Sequence, residues 1–273
     1  MKDRVVLVTG STDGIGKQTA LELAKLGASV IVHGRSKAKA LAAAAEICRE
    51  SNNEHIEVLT SDLSLMSNVR SFARQIQQRF DRLDVLINNA GFFAKERVLT
   101  KEGLETTFAV NHVAPFLLTL LLLDILKSSG SQGRSSRIIN VSSIAHQRAT
   151  LDFENLQGEK KFDGFMAYAA TKLMSIMMTY ELAERLQGIP VTVNCLHPGV
   201  VTTKLLQASV GTPGGEVAAG AETSVYLASS SEVEGISGKY FVKKQAQPTS
   251  PSSNDAALRK QLWQRTEKMV GLS

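Results

Sequence analysis

The sequence predicts an α/β fold of the doubly wound kind, a mostly parallel sheet of seven strands with helices on both faces. Three observations lead there. Short β-branched apolar runs alternate with helical stretches, the pattern of βαβ units. The first strand runs straight into a glycine-rich turn that opens a helix. And 273 residues with 43% hydrophobic content are enough for one large core, so a single domain over 1–273 is the simplest organisation.

The strands are expected at 4–8 (RVVLV), 29–33 (SVIVH), 55–59 (HIEVL), 83–87 (LDVLI), 137–141 (RIINV), 191–195 (VTVNC) and 238–242 (GKYFV). Helices are expected near 14–26, 37–50, 67–80, 103–128, 165–187 and 217–229. The polar segment 245–255 (QAQPTSPSSND) is rich in Pro and Ser and is expected to be a flexible loop before an end helix at 256–269. Phe116 to Leu126 is the longest apolar stretch. Thr119 and Asp124 interrupt it, Pro115 precedes it, and it falls short of the ~20 residues that span a bilayer. Met174, Met177 and Met178 follow on the long helix and suit core packing or a contact between copies in a homo-oligomer.

Net charge is +5 with a pI near 9.2, but the cations are scattered without aromatic interleaving, which argues against nucleic acid and for a small anionic ligand. Cys48 and Cys195 lie far apart, and His33, His55, His112, His146 and His197 share no ligand spacing, so neither a disulfide framework nor a metal site is expected. MKDRVVLVTG enters a strand at once, so neither leader nor membrane anchor is expected and the location should be cytoplasmic.

Thr9-Gly10-Ser11-Thr12-Asp13-Gly14-Ile15-Gly16 occupies the first strand-to-helix turn. Glycine allows positive φ and close approach to a phosphate, and the helix amino end offers free N–H groups and partial positive charge. A pyrophosphate would rest there. A Walker-type loop is disfavoured because Lys17 comes one residue late and Gln18 stands where Ser or Thr is needed. The second strand ends in His33-Gly34-Arg35-Ser36 with no carboxylate to accept from a ribose 2′-hydroxyl, whereas Arg35 can pair with a 2′-phosphate. NADP(H) is therefore expected over NAD(H).

Tyr168 and Lys172, four apart on a helix, share a face, so the ammonium should favour the charged form of the phenol and make it a usable proton donor or acceptor. Ser142 and Ser143 end the fifth strand, where neighbouring side chains point to opposite faces, so only one can reach a substrate. Asn111 is an unexpected amide inside a long helical stretch and should bond something. His146 lies three residues after Ser143, but no G-x-S-x-G elbow accompanies it and no hydrolase dyad is assigned.

With those residues in view, the chain resembles the short-chain dehydrogenase/reductase family over essentially its whole length. TGSTDGIG (9–16) is similar to its glycine motif, Asp62-Leu63 to its adenine-contacting pair, and NNAG (88–91) to the turn behind the cofactor. Asn111, Ser143, Tyr168 and Lys172 fall at its four catalytic positions, and His197-Pro198-Gly199-Val200-Val201-Thr202-Thr203 resembles its nicotinamide-side turn. NLQGEKKF (155–162), the HPG turn and SGKYF (237–241) are similar to retinol-dehydrogenase-like and WW-domain-oxidoreductase-like members.

The resemblance implies a Rossmann-type fold and cofactor contacts from Gly10 to Gly16, Arg35, Ser36, Asp62, Leu63, Asn89, Ala90, Gly91, Asn111, Tyr168, Lys172, Pro198, Gly199, Val201 and Thr203. It also selects Ser143 over Ser142, gives Lys172 the ribose hydroxyls, and gives Asn111 a water that relays protons. Segments 144–166 and 203–216 supply Ile144, Leu151, Phe153, Leu156, Phe162, Phe165, Leu205 and Leu206, which points to a hydrophobic carbonyl compound or its alcohol. The glycines of 211–216 are expected to let the second segment close over cofactor. An NADP(H)-binding sensor or scaffold without catalysis is the alternative expectation, and an RNA-binding module a distant third.

Overall fold

The computed structural model describes residues 1–202, 207 and 214–272. Eight strands form one sheet in the order β3-β2-β1-β4-β5-β6-β7-β8: β1 Val5–Val8, β2 Ser29–Gly34, β3 Ile56–Thr60, β4 Val85–Asn88, β5 Ser136–Val141, β6 Val191–His197, β7 Lys239–Val242 and β8 Gln245–Gln247. All neighbours are parallel except β7 and β8. The chain leaves β1 toward β2 on one side and later returns to place β4 on the other. Such a reversal leaves a crevice at the carboxyl ends of the strands.

The central strands are apolar on both faces because both are covered. Leu7, Ile31, Leu86 and Ile138 turn to one layer, built by α3 (Met66–Arg79), α5 (Ala114–Leu121) and α7 (Gly164–Arg185). Val6, Val8, Val30, Val32, Val85 and Ile87 turn to the other, built by α1 (Gly14–Lys25), α2 (Lys37–Ser51) and α8 (Val217–Ser229). The period-two alternation thus feeds two cores from one set of strands.

The structure corrects three expectations. The eighth strand was hidden because Gln245–Gln247 is short, exposed and polar, and its hairpin turns through Lys243 (φ 49°) and Lys244 (φ 65°). Both central residues of such a two-residue turn need positive φ, which Asn-Gly usually signals and Lys-Lys does not. Segment 245–255 is accordingly not without regular structure: after β8 it forms α9 (Pro251–Asn254), with Tyr180 Oη 3.0 Å from Thr249 Oγ1.

The stretch 103–128 is not one helix either. It begins at Thr106, where Glu105 caps α4 (Thr106–Phe108), widens to a π-helical turn at Ala109–Val113, and breaks at Leu122 before α6 (Leu123–Ser129). Pro115 explains the π turn. It has no N–H for the carbonyl of Asn111, four residues back, and its ring crowds that carbonyl.

The end helix α10 (Ala256–Met269) packs on α5 and α7. Trp263 meets Phe116 edge-on at 4.7 Å, with the Arg185 guanidinium 4.3 Å from its ring centre. Truncating such a buried indole costs about 3–5 kcal/mol, so α10 belongs to the core. Met174, Met177 and Met178 lie buried in the same layer. Among the described residues no single helix is long and apolar enough to cross a membrane; Thr106–Leu121 with Leu123–Ser129 reaches that length and composition only as a pair bent by 53°.

Candidate active site

The carboxyl ends of the central strands open into a cleft of about 1390 Å³. The glycine turn forms its floor. Gly10 (φ 65°) and Gly14 (φ 55°) hold the left-handed backbone that sends the chain from β1 into α1. A Cβ on Gly16 would stand 2.3 Å from Asn89 Nδ2 and 2.4 Å from the Gly10 carbonyl, so only glycine fits. Asp13 caps α1, accepting from the Gly14 N–H at 2.8 Å. Gly10, Thr12, Asp13, Gly14, Ile15 and Gly16 all line the cleft.

Ser11 does not. Fully buried, it accepts from the His33 N–H (2.9 Å), donates to the Val8 carbonyl (2.7 Å), and spends its own N–H on the His33 carbonyl. Its expected cofactor contact is corrected accordingly. The sequence pattern assigns His33 no role, yet its Nδ1 accepts from the Gly10 N–H at 3.1 Å and braces the turn. Burial pushes its pKa down to about 4, which keeps the ring neutral. Asn89 braces the other side, donating to the carbonyls of Thr9 (2.8 Å) and Gly10 (3.2 Å). Ala90 and Gly91 follow it on the wall, whereas Asn88 points inward to Thr119 and Asn140.

One end of the cleft gathers Arg35, Asp62 and Leu63. Thr12 packs so close to Gly34 that a Cβ there would meet it at 2.4 Å. Ser36 caps α2, accepting from the Lys39 N–H at 3.4 Å. Sequence reading missed three charges at this end: Lys17 on α1 and Glu46 and Glu50 on α2. Lys17 pairs with Glu46 and holds that carboxyl below its usual range. A helix near 37–50 was legible, but its register over the cleft was not. Together these glycines, N–H groups and cations fit an anionic dinucleotide.

The other end carries the reactive groups. Ser142 and Ser143 both border the cleft, but Ser142 is buried and spends its hydroxyl on the Lys172 carbonyl (2.8 Å), which leaves the half-buried Ser143 as the available hydroxyl. Ser143 also caps a 3₁₀ helix, Ile144–Arg148, accepting from the Ala145 N–H at 3.2 Å. Tyr168 and Lys172 line the same wall from α7, with Lys172 Nζ 5.4 Å from the phenol ring centre and donating to the Val141 carbonyl (2.9 Å).

Asn111 is saturated. Its Oδ1 accepts from the Phe92 N–H (2.7 Å), and its Nδ2 donates to the Phe92 carbonyl (2.9 Å) and Thr171 Oγ1 (3.2 Å). Its side chain has no capacity left, and Pro115 offers no N–H to its main-chain carbonyl. Two unassigned histidines support this region. His112 Nε2 lies 2.9 Å from Thr266 Oγ1 and joins the π turn to α10; Thr266 spends its proton on the Leu262 carbonyl, so His112 is the donor. His146 Nδ1 donates to the Ser143 carbonyl (2.7 Å), and its Nε2 accepts from the Ser250 N–H (3.4 Å). One neutral tautomer satisfies both bonds.

The electrostatics depart from the sequence expectation. Burial pushes the Tyr168 phenol up to about 12, opposed by a hydrogen bond with Ser143, and pushes the Lys172 ammonium down to about 8. Burial outweighs the Ser143 hydrogen bond, and Lys172 is not among the influences that lower the phenol. At neutral pH the phenol holds its proton and the lysine its charge.

Pro198, Gly199 (φ 90°) and Val201 complete the wall after β6. Thr202 and Gly214 bond reciprocally at 2.8 Å, and Val201 bridges to Gly215. Thr203, Leu205, Leu206 and most of the expected closing segment lie outside the described residues. Burial pushes His197 down to about 4. Among the described residues no group of three or more His, Cys, Asp or Glu could hold a metal ion.

Known proteins share these features. The family model for short chain dehydrogenase matches residues 4–213. Human retinol dehydrogenase 14 is 40% identical, covering 100% of this chain and 88% of that protein. Human polyprenol dehydrogenase is 38% identical, covering 99% and 86%. A solved protein from Mycobacterium paratuberculosis superposes with a TM-score of 0.81 at 31% identity, covering 99% and 94%. A short chain dehydrogenase from Escherichia coli CFT073, solved with NADPH, gives 0.72 at 25% identity, covering 90% and 98%. The chain therefore belongs to the short-chain dehydrogenase/reductase family, in its retinol-dehydrogenase-like branch, and is an oxidoreductase acting on CH–OH and C=O groups.

Proposed function

We propose that the protein interconverts a hydrophobic carbonyl compound and its alcohol with NADP(H), Tyr168 being the general acid and base. One observation carries the reading: Ser143, Tyr168 and Lys172 line one end of a cleft whose other end joins the amino terminus of α1 to Arg35. The cofactor, when bound, supplies the hydride and, once oxidised, a positive ring. Gly14, Ile15 and Gly16 would hold its pyrophosphate at the helix terminus, and Arg35 with Ser36 would take the 2′-phosphate.

In reduction the Ser143 hydroxyl holds the substrate oxygen and Tyr168 donates the proton. A phenol that is protonated at neutral pH suits this direction. Oxidation needs the phenolate, and there Lys172 must keep its charge to stabilise it. The main-chain carbonyl of Asn111 is the acceptor for a water that refills the proton. Val110, Ile144, Phe92 and Phe165 around this end suit an apolar substrate, in keeping with the polyprenol and retinol named for the relatives.

Kinetics with both cofactors on a panel of aldehydes test the reading. NADPH is expected to exceed NADH in kcat/KM, and Arg35→Ala to cut that preference about 10-fold or more, the worth of a charge-assisted phosphate contact. An NADH preference in the wild type would reject the role of Arg35.

A further inference from the structure

We propose that Arg148, backed by Phe165, forms a subsite for a carboxylate, so that the preferred substrate is a hydrophobic aldehyde or ketone with a carboxylate at its far end. This rests on the carbonyl-reductase reading and extends it to a substrate class.

The subsite adjoins the reactive groups through two elements. Arg148 ends the 3₁₀ helix that Ser143 begins, and both residues line the cleft. Its guanidinium sits 6.0 Å from the centre of the Phe165 ring. Phe165 precedes Tyr168 by three residues on α7 and so shares its face, with Cβ atoms about 5–6 Å apart. Ser143, Arg148, Phe165 and Tyr168 therefore form a continuous strip, an oxygen-binding pair at one end and a cation at the other. Contact with a ring face steadies the guanidinium and leaves its N–H edge free for bidentate pairing with a carboxylate.

Among the described residues nothing else neutralises Arg148. Among the described residues its one polar or ring contact is Phe165. The acids of the neighbouring rim are engaged: Asp152 accepts from the Glu154 N–H, Glu154 faces Arg265, and Asp163 caps α7. The cleft's own carboxylates, Asp13, Glu46, Glu50 and Asp62, all stand on the β1 to β3 half. The sequence of segment 203–213 contains no Asp or Glu. A cation in an apolar substrate end, with no carboxylate of its own, is completed by one brought by the substrate.

The test compares nonanal with azelaic semialdehyde, its carboxylate-ended counterpart, in the wild type and in Arg148→Gln at saturating NADPH. The semialdehyde is expected to have the higher kcat/KM in the wild type. The substitution should lower the ratio of the two values by about 10- to 100-fold, the scale of a lost charge-assisted hydrogen bond. A wild-type ratio at or below one, or a fall smaller than about threefold, overturns the proposal. Calorimetric binding of nonanoate to the NADP⁺-loaded protein separates this from the parent reading. If neither aldehyde is reduced, the carbonyl-reductase reading fails, and the subsite then stands or falls on whether Arg148→Gln weakens nonanoate binding by more than about threefold.

Discussion

Tyr168→Phe is expected to lower carbonyl reduction by about 100- to 10,000-fold, the usual worth of a positioned proton donor, with the Kd for NADPH changed by less than about threefold. The substitution removes one oxygen. The ring, which packs edge-on against Phe93 at 6.2 Å, keeps its shape, so neither the fold nor the glycine turn is disturbed. Steady-state turnover beside fluorescence titration of NADPH checks both halves. Turnover within about tenfold of the wild type would remove Tyr168 from the chemistry. A biological role that survives in this variant would be a binding role.

Lys172→Met is expected to lower alcohol oxidation by about 10- to 1000-fold, because an opposite charge close to a phenol moves its pKa by about 1–3 units. The effect should be larger in oxidation near pH 7, where the phenolate must form, than in the proportion of protein that folds. Lys172 is buried at the cleft wall and its ammonium is already disfavoured by burial, so an apolar chain of similar length loses the bond to the Val141 carbonyl but removes a desolvated charge. Thermal denaturation beside oxidation kinetics checks this. Equal losses in stability and rate would make Lys172 a structural residue.

How much of this was legible follows from what each residue depends on. The seven parallel strands could be read because their short runs are rich in β-branched apolar residues, the central ones being buried on both faces. The glycine turn could be read because positive φ and close approach select glycine locally. The Lys243-Lys244 hairpin could not, since lysine carries no turn signal. The π turn had a readable cause in Pro115, four residues beyond Asn111, that the apolar pattern concealed. His33, His112 and His146 are bonded to partners 23, 154 and 104 residues away, and no local pattern reports such contacts. Spacing placed Tyr168 beside Lys172 correctly, but the dominant influence on the phenol is burial, a property of the whole fold.

The most direct test of the central claim, that a buried phenol beside a buried ammonium exchanges the substrate's proton, is the pH dependence of both directions. Lys172 loses its charge above about 8, so kcat/KM for NADPH-dependent reduction should be level near neutral pH and fall as pH rises through that value. Oxidation should climb from pH 6 toward the same point as the phenolate becomes accessible. The cleft histidines His33 and His197, held near 4, are neutral throughout and can supply neither limb. Profiles that instead break near 6 to 7 in both directions, and keep that break in Tyr168→Phe, would contradict the account.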